Sequence, residues 1–132
     1  MSAMSRPATL AEVARRASAG DSAFDVALRE LLDHFYLHPD ARQAAIDPEP
    51  EMLPDPRHNA TLGAVGEHLA RRWRLRIPTW TEHPSRFLDR PYFPTPIEDL
   101  KAMLLVQSPL AFRRRMIFVE AEPLRRATLP RG

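Results

Sequence analysis

The sequence has no cysteine. Disulfides, thiolate metal ligands and a cysteine nucleophile are therefore excluded, and nothing marks an oxidising compartment. Glycine is scarce, with four in 132 residues, and Gly63-Ala64-Val65-Gly66 lacks both the lysine and the spacing of a phosphate-binding loop. Long apolar runs are missing too. Eighteen apolar residues never follow one another, and Met1 to Leu10 has no apolar stretch behind a basic start, so neither a membrane span nor a signal peptide is expected. The expectation is a cytoplasmic chain with no membrane attachment. Lysine occurs once, at Lys101, against 18 arginines, a bias that reads as codon usage in a GC-rich genome as much as selection for binding.

What is present is an uneven charge. Residues 1–66 carry six arginines against ten acids, a net of −4, whereas residues 67–132 carry twelve arginines and one lysine against seven acids, a net of +6. A basic half raises the expectation of an acidic or polyanionic partner. At 132 residues the chain suits a single domain able to bury roughly two-thirds of its unfolded surface. Its one candidate subdivision is the Pro- and acid-rich loop 47–56, between acidic helices at 9–46 and a basic region at 57–127.

Helix signals recur along the chain. Thr9-Leu10-Ala11-Glu12 has the spacing of a capping box, and Leu10, Val13, Ala14 and Ala17 then share one face up to Gly20. Ser22 to Asp25 reads as a second cap, with Phe24, Leu28, Leu31, Leu32 and Phe35 at helical spacing to about Leu37. Pro39 suits the first turn of a short continuation to Ile46. A long helix is expected from about His58 to Trp73, where Gly63 and Gly66 cost about 1 kcal/mol each relative to alanine unless another element packs closely there. From Arg76 to Pro96, five prolines and four aromatics predict an ordered but irregular segment wrapped over the helices. Thr95-Pro96-Ile97-Glu98 starts a helix to Gln107, and Ser108-Pro109 starts a short one to about Arg115, with Ser108 as cap and Leu110 and Phe112 buried. Met116 to Val119 reads as extended. The fold class is thus mainly α, a small irregular helical bundle with a Pro/aromatic-rich wrapping segment and at most one short strand.

Catalytic constellations do not form from these residues. His34 and His38 are four apart on a helix, as zinc ligands often are, but the glutamate of the zinc-protease motif and a third ligand are missing. Glu49 with Glu51, and Glu98 with Asp99, sit where solvation or a helix dipole accounts for them. No catalytic residue, metal site or cofactor is assigned. The remaining candidates are basic: Arg71, Arg72, Arg74 and Arg76 at one helix end, Arg113, Arg114 and Arg115 at another, then Arg125 and Arg126. Cations at helix C-termini are favoured by the macrodipole, a purely structural reason for their position. The functional reading is that guanidinium forks on a capped helix pair with a partner's carboxylates or with phosphates.

The run Ile77-Pro78-Thr79-Trp80-Thr81, then Arg86-Phe87-Leu88-Asp89-Arg90-Pro91-Tyr92-Phe93, then Ser108 to Val119 resembles small uncharacterised bacterial proteins encoded beside nucleotidyltransferase-type toxins. The resemblance covers about residues 60–127 and implies an antitoxin-like, non-enzymatic protein that neutralises a cognate toxin by direct binding. The residues assigned to that contact are Arg113, Arg114, Arg115, Arg125, Arg126, Trp80 and Tyr92. Some proteins of this kind carry an N-terminal helix-turn-helix domain; here the first 60 residues are acidic and lack that signature, which argues against operator binding. The alternative reading is a nucleic-acid-binding transcriptional regulator using the arginine-rich C-terminal half.

Overall fold

A computed structural model of the chain describes residues 5–94, 107–120 and 123–124. The described residues are mainly helical, with α1 at Leu10–Ala19, α2 at Phe24–Leu37, α3 at Arg42–Ile46, α4 at Pro56–Arg72 and α5 at Leu110–Arg113. Thr9 caps α1 as its sequence requires, accepting from the Glu12 N–H at 3.0 Å, and Gly20 closes the helix in the left-handed conformation at φ 80°. The Glu12 carboxylate turns to Arg15 and Arg16. At α2 the expected serine cap is absent: Ala23 occupies the cap position and no side chain bonds to the first turn. The long helix α4 begins two residues before His58, because Asp55 accepts from the Arg57 N–H and Pro56 sits at N1, where its missing donor costs nothing.

Buried apolar residues from all five helices join in one cluster, including Leu10, Leu31, Phe35, Ile46, Leu62, Leu69 and Phe112. Helix α4 is its axis. Residues 76–94 wrap over α4 as two 3₁₀ turns, Thr79–Glu82 and Pro84–Arg86, and this is what its two glycines accommodate. A β-carbon on Gly66 would stand 3.0 Å from the Thr81 side chain and 3.2 Å from the Trp80 ring. Trp80 is buried and donates through Nε1 to the Ile46 carbonyl at 3.0 Å, tying the wrap to α3. Gln43 adds a second tie, exchanging two hydrogen bonds with the backbone of Arg76.

The segment after α5 supplies the one extended contact among the described residues, an isolated parallel bridge between Tyr92 and Ile117. Ser108 departs from its expected role. Pro109 holds the cap position of α5, while the Ser108 hydroxyl donates to the Val119 carbonyl and accepts from the Val119 N–H, clipping the segment's two ends together. Leu110, expected in the core, is 45% exposed, whereas Phe112 is buried as expected and Phe118 is buried with it. The expected helix from Thr95 to Gln107 lies outside the described residues except for Gln107. No helix of the described residues is long and apolar enough to cross a membrane.

A candidate partner-binding face around Glu67

Glu67 lies mid-α4, one turn after Gly63 and one turn before Arg71, so all three share a helix face. Its side chain is completely buried and holds three guanidiniums. Arg115 Nη1 donates to Oε1 at 2.6 Å, Arg114 Nη1 to the same oxygen at 2.7 Å, and Arg71 Nε to Oε2 at 2.7 Å. Burial alone would raise the Glu67 pKa, but these charge-assisted bonds outweigh it and hold the carboxyl below its ordinary value. Glu82, on the first 3₁₀ turn, takes the other side of Arg114 in a fork, at 2.7 and 3.1 Å. The Arg114 charge is correspondingly stabilised by Glu82 and Glu67.

Three consecutive arginines thus have three different surroundings. Arg115 is fully buried; it also donates to the carbonyls of Ala111 and Thr81 at 2.7 and 2.8 Å and lies over the Phe87 ring. Arg114 is one-third exposed at the rim. Arg113 points to solvent and has no acid partner among the described residues. The face is extended by Arg71, about half exposed, whereas the exposed Arg72 at the end of α4 lies over the Trp73 ring at 4.8 Å.

Of the seven residues assigned to partner contact from the sequence, Arg113 and Arg114 are surface groups, while Arg115 and Trp80 are interior and cannot touch a partner without rearrangement. Tyr92 is half-buried, its backbone paired with Met116 and Phe118, with Arg57 over its ring at 5.3 Å, and it lines a groove of about 330 Å³ with Phe24, Leu28, His58 and Leu124. Arg125 and Arg126 lie outside the described residues. Glu67 and Arg86 were missed by sequence reasoning. The available signal for Glu67 was its place on the glycine-bearing face of α4, where close approach by another segment was already expected.

The histidines do not converge. His34 and His38 stack on each other at 4.2 Å, His58 stacks on Phe24, His68 meets the edge of Phe112, and His83 pairs with Ser85. The His34 pKa is lowered by burial and by the nearby charges of His38 and Arg6. Among the described residues no group of three or more His, Asp or Glu side chains is placed to hold a metal. Comparison of the chain with protein families, with curated proteins and with solved structures found no match.

Proposed function

We propose that the chain is a non-enzymatic, cytoplasmic, antitoxin-like protein that neutralises a cognate toxin, of the nucleotidyltransferase type, by direct binding. The observation that carries this reading is the arginine face held in place by a buried carboxylate. Arg71 and Arg114 are immobilised by Glu67 and Glu82, so their remaining donors, next to the exposed Arg113, offer carboxylates a surface that loses little side-chain entropy on contact. A nucleotidyltransferase needs carboxylates to hold its metal ions, and such a site is the complementary partner. Phosphate-backbone contact is less well served: the half-exposed Glu82 stands among the arginines and two of the cations are already paired.

The test is co-expression with the product of the neighbouring gene. The variant R113A should fold normally, co-purify poorly and fail to rescue growth; if complex and rescue both persist, the arginine face is not the interface. Duplex DNA binding that weakens steeply between about 50 and 200 mM salt would instead support the regulator reading.

A further inference from the structure

Arg114 has two acid partners of different kinds. Glu67 is completely buried and also holds Arg115 and Arg71, so it cannot leave without stripping a counter-charge from the interior. Glu82, at the end of the 3₁₀ turn Thr79–Glu82, has a half-exposed side chain. It takes Arg114 Nη2 at 2.7 Å and Nη1 at 3.1 Å, and stands 3.8 Å from Arg115 Nη2. The turn is fastened without it. Trp80 is tied to the Ile46 carbonyl, the Thr81 hydroxyl donates to the Pro78 carbonyl at 2.7 Å, and the Thr81 carbonyl accepts from Arg115 at 2.8 Å. Glu82 can therefore swing into water while its backbone, Arg114 and Glu67 stay in place. The cost is small, since an exposed ion pair contributes little to stability.

The surroundings of this pair favour its exchange for an outside carboxylate. Arg71, Arg114 and Arg115 share only two acids, Glu67 and Glu82, and Arg113 beside them has none among the described residues. Positive charge is thus in surplus even with Glu82 bound. Leu110, one turn before Arg114 at the start of α5, is 45% exposed. A partner that covers Leu110 also keeps water from Arg114, and in that drier setting a carboxylate on the fork is held more strongly than Glu82 is in solvent. A phosphate fits less well, because its second charge is repelled by Glu67 and by the displaced Glu82.

We propose that Glu82 is an internal stand-in for the partner's carboxylate: a glutamate or aspartate of the partner docks on the Arg114 fork by taking the place of Glu82, with an apolar side chain beside it covering Leu110. The exchange presupposes that the arginine face is the interface. Glu82 then acts as a built-in competitor that limits how tightly this face holds acids, and its removal strengthens binding.

The experiment is fluorescence anisotropy of a fluorescein-labelled hexaglutamate peptide titrated with the full chain at about 50 mM salt, where charge contacts are weakly screened. E82Q should bind about two- to fivefold more tightly than wild type, the gain expected when an exposed competing pair is removed. D25N removes an equal charge from the exposed pair with Arg29 on α2 and should bind like wild type. E82Q/R114K should lose the gain, because an ammonium does not offer the planar fork that takes both carboxylate oxygens. If R113A binds the peptide as well as wild type does, the arginine face is not the contact and the exchange falls with it. If R113A weakens binding but E82Q equals wild type, or D25N gains as much as E82Q, or the gain persists in E82Q/R114K, the face stands and Glu82 is no stand-in. Absence of binding to wild type and E82Q alike overturns the exchange, and release of the peptide by inorganic phosphate at an ionic strength where chloride has no effect overturns the choice of a carboxylate.

Discussion

Arg113, Arg114 and Arg115 are identical side chains one residue apart, and their different fates follow from where α5 ends. The helix stops at Arg113, and the turn that follows sets Arg115 one turn beyond the buried Ala111, facing inward to Thr81, and leaves Arg113 outside, before Met116 takes the left-handed region at φ 65°. Once inside, Arg115 requires a carboxylate, and Glu67 supplies it. Glu67→Gln should therefore lower unfolding stability by about 3–5 kcal/mol in urea titration, because it strips the counter-charge from a buried cation. A smaller loss, near that of an exposed ion pair, would mean that water reaches the cluster. Gly63→Ala is the second residue-scale prediction. Alanine gains about 1 kcal/mol of helix propensity on α4, yet its β-carbon meets Arg86 and Arg115 at under 3 Å, so the variant should melt lower than wild type. The cluster of arginines was legible in the sequence as composition. Which of them pointed inward was not, since that depends on a residue 48 positions away along the chain.

At the scale of elements, caps explain most of what could be read in advance. Thr9, Gly20 and the prolines 39 and 56 act as local chemistry dictates, while Ser22 and Ser108 do not, since Ala23 and Pro109 hold the cap positions of their helices. Ser108 is drawn instead to Val119, a contact no local window contains. The end of α4 shows the converse: Arg74 takes the left-handed conformation at φ 58° and the Leu75 N–H reaches back to the Ala70 carbonyl at 2.7 Å, a position that glycine usually fills. Arg74→Gly should accordingly leave stability unchanged or raise it by up to about 1 kcal/mol, against the usual cost of adding glycine. The stretch 47–55, which composition marks as a loop, is ordered by side chains from other elements. Buried Asn59 exchanges bonds of 2.8 and 2.9 Å with the Leu53 backbone, so Asn59→Ala should cost about 1–3 kcal/mol and raise amide exchange across residues 47–55.

For the whole molecule, the ion pairs of the described residues lie within the acidic half or within the basic half, except Arg76 with Asp47 at 2.7 Å, which joins the two. Several carboxyls are held below their ordinary pKa: Glu12 is drawn down to about 2 by its bonds to Arg15 and Arg16, and Glu67, Glu82 and Asp55 are lowered by arginines in contact. A carboxyl with a depressed folded pKa stabilises above its unfolded value near 4.5 and loses that contribution as pH falls toward the folded value. His34, lowered from 6.5, acts with the same sign, since protonating it is harder in the folded chain. Urea midpoints should thus vary little between about pH 6.5 and 8, decline slightly toward pH 5, and drop steeply from about pH 4.5 toward pH 2.

The account rests on one arginine triplet being divided between interior and surface, and parallel urea unfolding of R113A and R115A tests this directly. R113A should match wild type within about 0.5 kcal/mol, whereas R115A, which removes bonds to Glu67, Ala111 and Thr81, should lose about 3 kcal/mol or more. Equal and small losses in the two variants would contradict it.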